Sequence, residues 1–488
     1  MSASLKVLKS AGLLLSLQLV QRGLGIISTL ILARLLTPEH FGIVALVTIA
    51  LQFFELLVET GNQQYIVQKD HVNEDDLNTA WSMDILIKSV LAVLVIASSP
   101  FVAQWFDEPA LTAALAVASL ALPLRALRTP GLMRLAREIN YRPVFKLTLW
   151  QKSLSFIVVI TIALIQPSHW AIIIGNLVSA AILAGGSYLV DSYRPQWTLI
   201  HLRQQWQFSK WLLMRGIVGF TRSQVDNLLV SRFFGITSLG GYNLVREVSL
   251  LPALSAIIPM SEPLLAAIAE SRNSPEQLAY RVRFSLALMI TVLMPITTFI
   301  MLYPELIVRV LLGTQWMEYA PLLRPFGLFF FTFCLFALIS DAIIAQGKVK
   351  SLFLFDVVST ALIIGILLLV ATGSLSVMAW ARGWLAVATT ATLLWLLWLQ
   401  TRFGALMLIK LCVPALLGSL GAGWLVTLPE LAWAHPVGEF LVRGTLFVVL
   451  AAITVFVSGQ LLLGRTPEWQ QLTSLFAPYT GWLKPRPR

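Results

Sequence analysis

Apolar runs about as long as a bilayer is thick recur along the whole chain, and the gaps between them are too short to fold by themselves. A bilayer-spanning helix needs about 20 mostly apolar residues. Runs of that kind lie near 8-35, 40-61, 77-104, 109-128, 143-166, 169-190, 209-234, 239-261, 278-303, 320-345, 351-372, 376-400, 408-427 and 438-463. The expectation is therefore an all-α polytopic membrane protein with about 14 transmembrane helices. Composition agrees, with 57% hydrophobic residues, 12% charged residues and a mean hydropathy of +0.80. Soluble domains are closer to half apolar and a quarter charged. The N-terminal run has a basic start, but it is too long for a signal h-region and shows no small-residue cleavage site, so it reads as a retained first span.

The net charge of +11 suggests nucleic acid only where a folded soluble module carries a basic face. Here the basic residues fall in alternate gaps, as the positive-inside rule requires. One side collects Lys6 and Lys9, Lys69, then Arg134, Arg137 and Arg142, then Arg194, Arg203 and Lys210. The same side continues with Arg272, Arg281 and Arg283, Lys348 and Lys350, Arg402 and Lys410, and the tail from Arg465 to Arg488. The opposite gaps are short, and among them only "YPELIVRVLLGTQWMEYA" holds a basic residue, Arg309. Both termini are then cytoplasmic.

Helix starts are written into the gaps. In "LTPEH" Thr37 suits a cap, Pro38 the first turn and Glu39 the positive end of the helix dipole. "NSPEQ" at Ser274 and "RTPEW" at Thr466 repeat this grammar, the second opening a short C-terminal helix. Residues 197 to 211 read as an interfacial amphipathic helix. Aligning Arg34 with Arg232 brings Gly42 onto Gly240 and Ser10 within one position of Ser209. Six intervening spans preserve orientation, so this is a parallel repeat, and it implies two six-helix lobes with a site between them. The expected divisions are 1-200 (N-lobe), 201-403 (C-lobe), 404-464 (an extra helix pair) and 465-488 (a cytoplasmic tail).

"ARLLTPEHFGIVAL" followed by "ETGNQQYIVQK", then "DNLLVSRFFGITSLGGYNLVREVSLLP", then "YPELIVRVLLGTQWMEYAPLLRP" together resemble, in order and spacing, the Wzx-type oligosaccharide-lipid flippases. That family belongs to the multidrug/oligosaccharidyl-lipid/polysaccharide exporter superfamily, and the resemblance covers roughly residues 5 to 400. It implies a V-shaped, MATE-like pair of lobes and alternating access in the bacterial inner membrane. It also implies transfer of polyprenyl-diphosphate-linked glycans to the periplasmic leaflet for O-antigen, capsule or exopolysaccharide synthesis. The last two spans are similar to the additional pair that some members carry. The partners expected are that glycan lipid, membrane lipids and the polysaccharide polymerase and export machinery, with no nucleic acid, and a monomer is the default.

Charges inside spans are costly and face a cavity or a partner. Arg22 and Arg222 fall near the middles of spans one and seven, Arg215 nearer the cytoplasmic end of span seven, Lys88 in span three and Arg246 in span eight. As a central cationic cavity they would match the oxygens of a lipid diphosphate. Equally open from the residues is pairing with nearby acids, Arg222 with Asp226 and Lys88 with Asp84. Glu55, Asp226 and Glu247 are candidates for coupling transport to H+ or Na+; Glu59, Asp341 and Asp356 are further intramembrane acids. Gln18, Gln21, Asn227, Tyr242 and Asn243 are polar groups suited to sugar contacts.

Enzyme signatures are lacking: the five histidines are dispersed, no HExxH or phosphate loop occurs, and "GSLGAGW" sits in an apolar run. Cys334 and Cys412 lie in apolar segments and form neither a disulfide framework nor a metal cluster. No cofactor is expected. A multidrug antiporter of the same superfamily is an alternative, although it would want acidic groups in its cavity. A membrane polysaccharide polymerase or ligase is a third reading, which the short outer gaps disfavour.

Overall fold

The computed structural model describes residues 3–57, 73–138, 140–200, 202–271, 273–427 and 435–480, and side chains within these except at 3–11, 14, 15, 202–215 and 475–480. Among the described residues every regular element is helical and there is no strand. Twelve helices are long and apolar enough to cross a membrane, or thirteen if the bent pair Ala110–Ala126 and Gly131–Arg137, which turn by 58°, counts as one span. The "ETGNQQYIVQK" segment, with Glu59 and Lys69 at its ends, Arg272 and the tail beyond residue 480 lie outside the described residues.

The chain divides into two compact units, Met1–Leu244 and Val245–Arg488. The first contains α1 (Ala3–Leu35), α2 (Pro38–Leu57), α3 (Glu74–Trp105), α4 (Ala110–Ser119), α5 (Ala121–Ala126), α6 (Gly131–Arg137), α7 (Arg142–Ile165) and α8 (Trp170–Val190). It also takes most of α9 (Leu202–Pro252). The second unit holds α10 (Ile258–Glu270), α11 (Pro275–Leu302), α12 (Pro304–Leu311), α13 (Leu323–Ala345), α14 (Val349–Val370) and α15 (Leu375–Thr401). The pair α16 (Ala405–Thr427) and α17 (Pro436–Leu463) and the short α18 (Pro467–Thr480) complete it.

Helix starts follow the chemistry of the gaps. The Thr-Pro-Glu of residues 37–39 opens α2 with proline first, where its missing amide costs nothing. The same order opens α11 at Pro275 and α18 at Pro467, and Thr466 Oγ1 accepts from the Trp469 amide at 3.4 Å. Ser274 makes no side-chain cap, so proline and Glu276 alone mark that start. Asn73 and Asp76 form a reciprocal capping box on α3.

Side chains sort as a lipid solvent demands. Leu189, Ile165, Leu369 and Leu461 point outward, while the interior of each unit is filled by small and branched residues. In the first unit Leu32 and Leu36 of α1 pack with Val159 and Ala163 of α7 and Ala171 of α8. In the second, Tyr303 and Leu306 pack with Ala422 and Val426 of α16 and Phe447 and Ala451 of α17, joining the C-terminal pair to the body of that unit.

One crossing is tighter than any side chain permits. A Cβ on Gly42 would lie 2.0 Å from the Ile236 carbonyl oxygen, and one on Gly240 would lie 1.8 Å from that of Pro38. Only glycine allows α2 and the second half of α9 to approach so closely. The break that lets α9 turn into this crossing is Gly235, whose φ of 84° is open to glycine and strained for other residues.

Candidate functional site

The intramembrane charges are handled in three ways. Lys88 and Asp84, one turn apart on α3, form an ion pair at 2.8 Å with side chains only 14% and 13% exposed. The short separation is what the i,i+4 spacing allows. Glu55 on α2 pairs with Arg125 on α5, 70 residues later. Neither Lys88 nor Glu55 is therefore a bare charge in this conformation.

Asp226, wholly buried on α9, accepts a hydrogen bond from the Tyr242 hydroxyl at 3.1 Å. The amide of Asn227 next to it donates to Gln224 at 2.9 Å and to Asn243 at 3.1 Å. The Tyr242–Asp226 and Asn227–Asn243 bonds span the Gly235 break, so they tie the two halves of α9 together. Tyr242 and Asn227 are thus buried in a polar knot of their own unit. Arg222 is half-buried on the same helix, and Arg215's side chain lies outside the described residues. Arg22 on α1 is half-buried, and one of its terminal nitrogens is shielded from solvent without a hydrogen-bond partner.

In the second unit Arg246 is 8% exposed and its guanidinium lies 5.1 Å from the centroid of the Phe329 ring. Arg382 on α15, 4% exposed, lies 4.6 Å from the same centroid. Cation–π attraction to one ring offsets part of the cost of bringing two like charges near each other. Glu247, next to Arg246, is exposed on α9. Arg382 escaped the sequence reading although the signal was present: it is an arginine within an apolar span, the criterion that selected the others. Arg125 escaped because its partner is far away in sequence.

Two cavities are present, the first reaching the Lys88–Asp84 pair. One of about 280 Å³ in the first unit is lined by Trp81, Asp84, Arg128, Tyr141, Thr148 and Gln151 among others. The other, about 510 Å³ and polar, lies in the second unit beside Asn273, Lys348, Gln400 and Thr401. Among the described residues no group of three or more His, Cys, Asp or Glu side chains is placed to hold a metal ion.

A chain whose described residues are helical, with a dozen or more spans apolar enough to cross a membrane, is a polytopic membrane protein. The chain belongs to the polysaccharide biosynthesis protein family, which residues 31–321 match. This bears out the resemblance drawn from the motifs. ExoT of Rhizobium meliloti (strain 1021), a succinoglycan biosynthesis transport protein, is 24% identical over 306 residues, covering 62% of this chain and 61% of ExoT. The chain therefore spans about three fifths of that relative's length. The lipopolysaccharide biosynthesis protein WzxC of Escherichia coli (strain K12) is 22% identical, with 70% of each chain covered.

Among solved structures, the lipid II flippase MurJ in an inward closed conformation matches with a TM-score of 0.75 at 14% identity, covering 92% of this chain and 99% of that one. An inward-facing multidrug resistance transporter of the MATE family in the MOP superfamily matches with a TM-score of 0.60 at 13% identity, covering 79% and 95%. Identities this low establish the shared fold and nothing further.

Proposed function

We propose that this protein moves polyprenyl-diphosphate-linked oligosaccharide units from the cytoplasmic to the periplasmic leaflet by alternating access, in the service of O-antigen, capsule or exopolysaccharide synthesis. The observation that carries the reading is arginine held within spans of both units: Arg22 half-buried in one, Arg246 buried in the other. A lipid diphosphate crossing the apolar midplane needs fixed cations with paired donors, and the guanidinium fork supplies them. The relatives' names, a succinoglycan transport protein and a lipopolysaccharide biosynthesis protein, point to the same substrate class.

The cationic site of this proposal comprises Arg22, Lys88, Arg215, Arg222 and Arg246, of which Lys88 is paired with Asp84 in this conformation. Coupling to H+ or Na+ is assigned to Asp226, Glu55 or Glu247, of which Asp226 is wholly buried in a span.

The proposed topology has fourteen crossings, both termini cytoplasmic, in the bacterial inner membrane. Two facts support the count. The apolar stretch Gly216–Glu270 has 55 residues, roughly 80 Å of helix against a hydrocarbon core of about 30 Å. It is broken at Gly235. The parallel repeat is supported by the α2–α9 crossing: Gly42 meets Ile236 while Gly240 meets Pro38, and Pro38 pairs with Ile236 and Gly42 with Gly240 at one constant offset. Reciprocal contacts of that kind arise where a pseudo-two-fold axis relates the partners.

The MATE-like fold leaves drug export as a second reading. Buried arginines repel the organic cations such exporters would carry. The test is exchange of a fluorescent polyprenyl-diphosphate oligosaccharide in proteoliposomes, followed with a membrane-impermeant quencher. Wild-type exchange that falls at least tenfold in Arg22→Ala with Arg222→Ala is the expected result. Absence of exchange above protein-free liposomes, with a glycan matched to the host, sinks the flippase reading.

A further inference from the structure

At the α1–α2 end of the first unit, the first turn of α2 is held from two directions. Gly42 and Pro38 lie against Gly240 and Ile236 of α9. Between them His40 faces His169 of the α7–α8 turn, with ring centroids 5.9 Å apart and planes tilted by 50°. Trp170, the first residue of α8, covers the other side of His169 at 5.1 Å. Both nitrogens of His169 and Nδ1 of His40 are shielded from solvent and make no hydrogen bond.

Protonating His169 would place a charge on a ring whose nitrogens have neither solvent nor a hydrogen-bond partner. Imidazole is the side chain whose charge changes between about pH 5 and 8, and two imidazolium rings in contact would repel. The charged groups around it are few. Glu39 on α2 is the acidic neighbour of His169, His40 the titratable one, α8 offers Trp170, and the α9 residues of the crossing, Ile236 and Gly240, carry no charge. Burial first, then His40, lowers the His169 pKa below the ordinary 6.5, while Glu39 opposes this.

We propose that His40 and His169 form a proton-operated latch holding the first turn of α2 against the α7–α8 turn, so that acid on the side this end faces releases that turn, loosens the α2–α9 seam beside it and favours opening to that side. On the topology proposed above that side is the periplasm, and the inference rests on that reading. The sign follows from linkage. With its folded pKa lowered, His169 binds fewer protons in the latched arrangement than when its ring is in water. The latched state is fully stable above the ordinary imidazole range and loses stability as pH falls through it. Each unit of pKa separating the two arrangements shifts their ratio about tenfold.

The test replaces Cys334 and Cys412 with serine and places one cysteine at Leu239, wholly buried at the seam, or at Ile43, 1% exposed on the facing helix. In right-side-out vesicles, labelling by an impermeant maleimide is normalised to the denatured protein at each pH. Acidifying the outside from about pH 8 to 5.5 is expected to raise labelling at least fivefold. His169→Gln stays low at both values, and His169→Arg is high at both. The same pH profile in wild type and His169→Gln overturns the latch.

Glycan-lipid exchange is measured in parallel on the protein with its native cysteines. Exchange that rises with outside acid and loses that rise in His169→Gln supports the latch, and identical profiles overturn it. No exchange at any pH overturns the flippase reading alone, because the labelling arm still decides the latch.

Discussion

Substituting Gly240 with alanine places a methyl group where the Pro38 carbonyl oxygen already sits. The new Cβ would be 1.8 Å from that oxygen and 2.8 Å from the Gly42 nitrogen, whereas ordinary contact begins near 3.4 Å. The two helices must part by about 1.6 Å, the difference between 1.8 and 3.4 Å. Both obstacles are backbone atoms, so no rotamer relieves the clash. Over-packing costs about 1–3 kcal/mol, and the rigid backbone puts this case near the top. Alanine's better helix propensity returns about 1 kcal/mol, leaving a net loss of roughly 2 kcal/mol.

For an unfolding unit the size of Met1–Leu244, that loss lowers Tm by about 4–8 °C. The assay is thermal unfolding in detergent by tryptophan fluorescence, with Gly185→Ala as control because nothing lies within 4 Å of its added Cβ. Gly42→Ala should behave like Gly240→Ala, since its Cβ would sit 2.0 Å from the Ile236 oxygen. The double variant should cost clearly less than the sum, because one separation accommodates both methyl groups. Equal Tm values for Gly240→Ala and Gly185→Ala, or strict additivity of the pair, would refute the single-seam account.

Two further perturbations address charge. Arg283 on α11 donates to Glu468 at the start of α18 and to the Phe403 carbonyl at 3.1 Å, with Glu468 3% and Arg283 20% exposed. Breaking a buried pair costs about 3–5 kcal/mol; Glu468→Gln, with Arg283 retaining some water, should cost about 2 kcal/mol and release α18. Tryptic cleavage at Arg465 should then accelerate, and an unchanged rate would mean the pair does not hold the helix. Asp226→Asn keeps an acceptor for Tyr242 while removing the carboxylate charge. If Asp226 carries the coupled ion, exchange loses its response to an imposed gradient, and a retained response assigns coupling elsewhere.

What the sequence disclosed, and what it hid, divides by distance along the chain. Apolar periodicity and proline-led starts are local, and α2, α11 and α18 begin where those signals lie. The Lys88–Asp84 pair is one helical turn, and that spacing was readable too. Glu55–Arg125 joins residues 70 positions apart, Arg134–Asp191 57 and Arg283–Glu468 185. No spacing rule reaches that far, because such partners are chosen by how the helices pack. The fate of an intramembrane charge therefore could not be read from its own neighbourhood: Glu55 looked like a coupling group until packing supplied its arginine.

The same distinction sharpens the candidate site. Lys88 is neutralised by Asp84 on its own helix and Glu55 by Arg125 on another helix of the same unit, so using either for substrate or ion would first require a pair to break. Arg246 and Arg382 converge on one ring, Phe329, whose face attracts both guanidinium groups. With the ring 5.1 Å from one guanidinium and 4.6 Å from the other, the two are at most 9.7 Å apart. Moving Phe329 would therefore disturb both arginines at once, so a single ring on α13 links a charge on α9 to a charge on α15 within the second unit.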